Sequence, residues 1–367
     1  MADDSRTTAP ERPPVAQPLT ASGFLHNAWY MAGWVEDCAQ RPLTPRTVLG
    51  EPIVLFKTAQ GQWVALEDRC AHRFAPLSRG HIVEGCKLQC PYHGLQYDAA
   101  GACVFNPHGN RRIPPQARVQ SWPVVEKHKA LWVWMGGAPA RPDEIPDFSV
   151  LDEAPALHGT RLDYLSIAAN YQLIVDNLLD LSHTSYLHEG ILGNAETVQS
   201  QIKCDQEGRD VLVSRHASNV AAPGMFAQFW PDHPGKVDKF TAMRWMAPSN
   251  MRLISGICAV GAEPMSGTGY YALHMLTPAD QHSTHYFFTA VRFGVKTTDL
   301  ELNLALQEKI ATMRRFAFAE QDAPVIEAQQ RILDQADRTL DPVLLEIDAG
   351  PVRYKRVLNQ LLRAEQS

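Results

Sequence analysis

The sequence predicts an α+β chain in two units, an all-β N-terminal domain over 25–137 and a C-terminal α+β domain over 148–365. Three observations carry this. Short β-rich runs punctuated by turn residues fill the first third. A stretch dense in proline and glycine, GGAPARPDEIPDF at 136–148, follows and reads as a boundary. Beyond it, strand-like segments lie between two helical patterns, the arrangement of one antiparallel sheet packed on helices. The length of 367 residues suits two or three domains at roughly 150 residues each.

In chain order, residues 1–24 hold Pro10, Pro13, Pro14 and Pro18 among Ser, Thr and Ala, and read as a mobile tail. PIVLF at 52–56 and WVAL at 63–66 are strands joined across Gly61, DAAG at 98–101 is another turn, and ALWVWM at 130–135 closes the domain. Residues 170–188 read as a helix with Leu173, Ile174, Leu178 and Leu181 on one side. The segments 251–260, 270–276 and 285–293 read as strands. Thr298-Asp299-Leu300-Glu301 is a capping box opening a helix whose stripe is Leu302, Leu306, Ile310, Met313 and Ala317.

Composition sets the class. The net charge is −6, which gives no electrostatic reason to bind nucleic acid or an anionic membrane. No apolar run reaches the roughly 18–20 residues of a membrane span, and the acids Asp3 and Asp4 with no apolar segment after them do not make a secretory signal. A soluble cytoplasmic protein is expected. Seven cysteines, an odd number without a signal, do not make a disulfide framework, which leaves some of them free as metal ligands.

Two short motifs in the β unit stand out: Cys70-Ala71-His72 and, after seventeen intervening residues, Cys90-Pro91-Tyr92-His93-Gly94. His fills 14 of 367 positions, so chance yields about 0.1 such pairs of motifs. Two Cys and two His suit either zinc or a Rieske [2Fe–2S] cluster, in which two Cys hold one iron and two His the other. Zinc knuckles usually open C-x₂₋₄-C; here each loop gives one Cys and one His, which suits two bridged irons. The arrangement resembles the Rieske family. Respiratory Rieske proteins carry a loop disulfide and a Ser where this chain has Ala75, Tyr92 and Leu95, so the resemblance implies a lower potential.

A second constellation lies in Asp176-Asn177-Leu178-Leu179-Asp180-Leu181-Ser182-His183-Thr184-Ser185-Tyr186-Leu187-His188. His183 and His188 are five apart, about 140° on a helix, so one ion can take both only if the helix bulges or ends between them. By themselves the two also suit satisfied core histidines. After a Rieske motif, the string D-x-x-D-L-x-H-x-x-x-x-H resembles the mononuclear iron motif of Rieske non-haem iron oxygenases. NAWY at 27–30, HRFAPLSRG at 72–80 and the ending EIDAGPVRYKRVLNQLLRAEQ are similar to the vanillate O-demethylase, dicamba monooxygenase and toluenesulfonate methyl-monooxygenase types.

The resemblance implies a catalytic domain of helix-grip type with a facial triad of two His and one carboxylate. Besides the Rieske ligands Cys70, His72, Cys90 and His93, it assigns mononuclear Fe(2+) to His183, His188 and Asp322. Asp322 falls on the family pattern F-x-E-D, although Gln321 replaces the usual Glu; Glu320 and Glu327 are rival carboxylates, and Pro324 is expected to kink the helix beside the site. Asp180 is implied as the bridge, across a head-to-tail homotrimer, from an iron-ligating His to His93, and Asn177 as a residue near the iron. His274 and Arg252 are candidate substrate contacts. The function implied is the terminal oxygenase of a Rieske monooxygenase that O-demethylates a methoxylated aromatic acid with dioxygen and releases formaldehyde. Methyl hydroxylation or ring hydroxylation of another aromatic is the alternative. Electrons come from a separate flavin or ferredoxin-type reductase that uses NAD(P)H, since the chain has neither G-x-G-x-x-G nor a plant-type C-x₄-C-x₂-C.

Overall fold

The computed structural model describes residues 23–198, 200–233 and 235–367. The tail expected over 1–24 lies outside them apart from Gly23 and Phe24, and Phe24 packs its ring 6.4 Å from that of Tyr171.

Three small antiparallel sheets build the N-terminal domain. Trp29–Trp34 pairs with Ala130–Trp134, which pairs with Val124–Lys127. Thr44–Val48, Glu51–Lys57, Trp63–Glu67 and Ser121–Trp122 form the second sheet. The third, His81–Val83, Lys87–Gln89, Gln96–Tyr97 and Cys103–Phe105, lies beside the loops bearing the Cys and His motifs. Gly61 (φ +84°) and Gly101 (φ +77°) take left-handed turn conformations, as their turn assignments require.

The C-terminal domain is one seven-stranded antiparallel sheet in the order Asp163–Ile167, Thr284–Phe293, Thr268–Pro278, Asn250–Cys258, Lys236–Met246, Asp210–Ala221, Gln201–Glu207. Its two faces do different jobs, and side-chain alternation decides which residue serves which. Leu273, Met275, Phe287 and Val291 pack against Trp29, Met31, Trp34, Trp132 and Trp134 of the N-terminal domain. Trp34 Nε1 donates to Asp163 O (2.9 Å) and Thr277 Oγ1 to Met31 O (2.7 Å) across that seam. The alternate residues, including Ala272, His274, Tyr286 and Phe288, point the other way and line a cavity under the helices. Among the described residues, no helix is long and apolar enough to cross a membrane.

The helices depart from expectation in three places. Tyr171–Leu179, capped by the Asn170 side chain on Gln172 N–H (3.0 Å), ends at Asp180, which is extended (φ −81°, ψ 94°). It does not run to 188; a 3₁₀ turn at His183–Ser185 follows. The Asp180 carboxylate accepts from Ser182 N–H (2.8 Å), offering the backbone a local partner in place of the helix ladder. The Leu300–Phe316 helix is capped by Asp299, which accepts from Leu302 N–H (2.9 Å), and not by Thr298; Leu302 is exposed, so its buried stripe starts at Leu306. At Pro324 the chain adopts no simple kink. A π turn spans Ala317–Asp322, with Ala323 N–H donating to Phe318 O, before the helix resumes at Ala323–Gln335. The wider i→i+5 spacing accommodates the proline, which lacks an N–H and clashes with the carbonyl four residues before it.

Candidate active site and metal centres

The two motif loops are built alike. Cys70 N–H donates to Ala75 O (2.9 Å) and Phe74 N–H to Cys70 O (2.9 Å); Cys90 N–H donates to Leu95 O (2.8 Å) and Gly94 N–H to Cys90 O (3.1 Å). Gly94 (φ +72°) closes the second loop, where a Cβ would stand 3.3 Å from Pro107 Cγ. Both thiols are buried, whereas His72 is exposed and His93 half-buried, with their rings 4.6 Å apart. The Tyr97 hydroxyl lies 3.1 Å from Cys70 Sγ and accepts from Ala71 N–H (3.1 Å). Inner thiolates and outer imidazoles suit a cluster with one iron per ligand pair. Among the described residues only His183, His188 and Asp322 bring three ligand atoms within 4.8 Å of one another. No three of the loop ligands meet that spacing, so a single zinc ion does not fit them.

His183 and His188 lie on the loop after the Tyr171–Leu179 helix, and Asp322 ends the π turn. Nε2 of His183 stands 3.6 Å from Asp322 Oδ1, and Nε2 of His188 stands 3.2 Å from Oδ2. Each ring is held by its other nitrogen: His188 Nδ1 by Gln321 Oε1 at 2.8 Å, His183 Nδ1 by Asp180 O. Both Nε2 atoms are thereby left to share one point with a carboxylate, the donor set of a facial triad. Asn177 Nδ2 donates to Asp322 Oδ1 (3.0 Å). Burial holds the His183 imidazole below its ordinary pKa, with Asp322 and Asp180 opposing, whereas at His188 burial is outweighed by hydrogen bonds to Asp322 and Gln321, which raise its pKa. Glu327 is committed to Ala168 N–H (3.0 Å), and Glu320 is exposed.

A cavity of about 120 Å³ opens from this triad between the sheet and the helices. Its walls are mostly apolar, with Leu178, Phe226, Leu253, Ala272 and Phe288 among them. His274 projects into it, Nδ1 bonded to the Tyr286 hydroxyl (2.6 Å), its buried Nε2 without a hydrogen-bond partner among the described residues. Burial, then the charge of Arg314, holds His274 well below its ordinary pKa. Arg252 pairs in register with Arg244 and Leu273 and so lies on the opposite face of the sheet; the structure does not bring it to the cavity. Asp180 does not line the cavity either. It opens onto an outer groove with Val325, Gln329 and Val343.

Sequence reasoning missed three cationic residues of the cavity and the partner of His188. Lys239, Arg215 and Arg314 all line the cavity. The inward–outward alternation of Lys239-Phe240-Thr241 was the available signal for Lys239, but the strand Lys236–Met246 was not read as one. In the sequence Gln321 stands out only as a departure from the F-x-E-D pattern.

Comparisons with known proteins agree with this geometry. Residues 28–123 match the model of the Rieske [2Fe–2S] domain, and residues 167–364 that of the vanillate O-demethylase oxygenase C-terminal domain. The toluene-4-sulfonate monooxygenase system iron–sulfur subunit of Comamonas testosteroni is 36% identical over 93% of this chain and 98% of its own. The oxygenase component of dicamba O-demethylase from Stenotrophomonas maltophilia is also 36% identical, over 93% and 99%. The crystal structure of dicamba monooxygenase bound to 3,6-dichlorosalicylic acid superposes with a TM-score of 0.85 at 32% identity, covering 94% of this chain and 100% of that one.

The chain belongs to the Rieske non-haem iron oxygenases, as an oxygenase component whose catalytic domain is of the vanillate O-demethylase type. Its cofactors are a Rieske [2Fe–2S] cluster and a mononuclear iron, and its electrons come from a separate reductase or ferredoxin.

Proposed function

We propose that this protein is the terminal oxygenase of a cytoplasmic monooxygenase that O-demethylates a methoxylated aromatic acid of the vanillate class. The overall balance is ArOCH₃ + O₂ + 2 e⁻ + 2 H⁺ → ArOH + CH₂O + H₂O. The observation that carries the reading is the apolar cavity bounded by the His183–His188–Asp322 triad and by buried cationic side chains. Such a site suits a flat apolar ring with one polar anchor.

In this reading Cys70, His72, Cys90 and His93 hold the cluster, and His183, His188 and Asp322 hold the iron. When bound, the cluster supplies single electrons and the iron supplies dioxygen activation. The chain's own work is positioning. Gln321 and the Asp180 carbonyl fix the ring tautomers, Asn177 steadies Asp322, and Phe226, Leu253 and Phe288 exclude water around the ring. His274, with its free Nε2, is a donor to the bound substrate.

Asp180 is read as the link between His183 and the partner subunit's His93 in a head-to-tail homotrimer. Its half-exposed carboxylate in an outer groove supports this, as do Phe74 (71% exposed) and Tyr92 (62%) beside the surface histidines. Unlike sites from two copies meet only in such heterologous packing.

The testing experiment is a single turnover. The protein is reduced chemically, exposed to dioxygen with a panel of methoxybenzoates, and assayed for formaldehyde and phenol. Formaldehyde from a panel member is expected. A benzylic alcohol from a methylated arene, with no formaldehyde from any methoxybenzoate, would select methyl hydroxylation instead. The 36% identity to the toluene-4-sulfonate subunit supports that second reading as much as the equal identity to the dicamba O-demethylase component supports the first.

A further inference from the structure

The cavity wall holds three cationic side chains, Arg215, Lys239 and Arg314, and one carboxylate, Asp322, which belongs to the metal triad. None of the three makes an ion pair among the described residues, yet each is buried or half-buried. Unpaired charge at such depth is unfavourable unless something neutralises it.

The three differ in what they already do. The Arg215 guanidinium is spent on structure: Nη1 donates to Leu181 O (2.7 Å) and Thr184 Oγ1 (3.0 Å), Nη2 to Ser185 Oγ (2.8 Å), which pins the histidine-bearing loop. Lys239 Nζ has three acceptors for its three protons, Phe240 O (2.9 Å), Thr241 Oγ1 (2.7 Å) and Ser255 Oγ (2.7 Å). Its donors are used, and burial disfavours its charged form. Arg314 has no hydrogen-bond partner for its guanidinium among the described residues. It rests on aromatic faces instead, 5.8 Å from the Tyr270 centroid and 5.7 Å from that of Phe288. A carboxylate whose charge acts on it, Asp163, is taken by Arg315 (2.9 Å) and Arg161 (3.2 Å).

We infer that Arg314 is the anion anchor of this cavity, so that the substrate is an aromatic oxyanion, an arenecarboxylate or arenesulfonate, gripped by its planar fork. The inference rests on the reading of the cavity as the substrate site. A guanidinium with free N–H groups matches an oxyanion bidentately. Lys239 lies along the wall beyond the stacked pair Tyr270 and Phe226 (centroids 5.7 Å apart); burial, then the charge of Arg215, holds its pKa well below the ordinary value and its donors are already used, so it does not compete for the contact. Arg314 lies in the Leu300–Phe316 helix, immediately before the π turn that ends in Asp322, so anchor and metal site are fixed by one continuous element.

The test is calorimetric titration of the anaerobic holoprotein with benzoate, benzenesulfonate and neutral benzamide, which requires no turnover. At least one oxyanion is expected to bind about tenfold or more tightly than benzamide, and the tighter of the two identifies the head group. In Arg314→Met the gap should collapse with benzamide affinity unchanged. Arg314→Lys, which keeps the charge without the fork, should narrow the gap and serves if the Met variant does not fold. Equal affinities in the natural protein, or a gap that survives in Arg314→Met, would overturn the inference. Oxyanion-selective binding without formaldehyde release refutes O-demethylation and leaves the anchor standing. Equal kcat/KM for methoxybenzamide and methoxybenzoate does the reverse.

Discussion

Nδ1 of His188 and Oε1 of Gln321 meet at 2.8 Å, and this bond ties the loop carrying the two histidines to the π turn carrying Asp322. With Nδ1 donating, the neutral ring leaves the Nε2 lone pair of His188 for a metal ion that Asp322 would share. Outer partners of this kind fix tautomer and ring orientation, and losing one costs roughly 10–100-fold in metal affinity. Gln321→Leu is therefore expected to lose mononuclear iron in that range, measured by iron retained against a graded chelator, while the visible spectrum of the cluster is unchanged. Undiminished retention would remove Gln321 from the account.

Asp180 offers a separable prediction. Its backbone carbonyl orients His183, and that contact survives Asp180→Asn. The variant should keep both metal centres and lose turnover, because only the carboxylate is changed. Parallel metal analysis and multiple-turnover assay check this; unimpaired turnover would sink the bridging role.

Tyr97 reports on the cluster. With Cys70 a thiolate, the hydroxyl 3.1 Å away donates to sulfur and favours the more negative, reduced state. Tyr97→Phe should lower the reduction potential, read by spectroscopic redox titration. A potential that stays fixed or rises contradicts the donor role.

Asp176 makes a stability prediction with an unusual sign. Burial, against the opposing charge of Lys355 at 2.7 Å, pushes its pKa from 3.8 to about 6. Between those values the folded chain binds more protons than the unfolded one. The contribution of this group is thus fully present below pH 3.8 and is lost as pH rises through 6. The full effect is at most about 3 kcal/mol, at 1.36 kcal/mol per unit. Denaturant midpoints of Asp176→Asn and the natural protein should diverge between pH 5 and 7.5, the natural protein gaining more on acidification; parallel profiles would contradict it.

Much of the architecture was legible in local chemistry. The C-x-H and C-x-x-H loops announced themselves because short turns impose their own ligand spacing. The strands 251–260, 270–276 and 285–293 were readable as runs of apolar and β-branched residues. The strands over 201–246 were not, because one face lines the cavity and places Lys239, Thr241 and Arg215 where a core strand would carry Val or Ile. The helix expected over 170–188 failed because periodicity does not register the side-chain bond from Asp180 to Ser182 that ends it at Leu179. The π turn was half visible: Pro324 marked a disruption, but only the three-dimensional path shows that it is absorbed at 317–322. Arg252 and Arg314 illustrate the same limit in opposite directions. Which arginine meets the cavity depends on register and helix placement, and neither is written in the residues beside it.

The most direct test of the account counts metal. The natural protein should hold about three irons and two acid-labile sulfides per chain, one cluster plus one ferrous ion. Asp322→Ala should hold about two irons and two sulfides, with the cluster spectrum intact and no oxygenated product. An Asp322→Ala protein that retains the third iron and still oxygenates substrate would contradict the account at its centre.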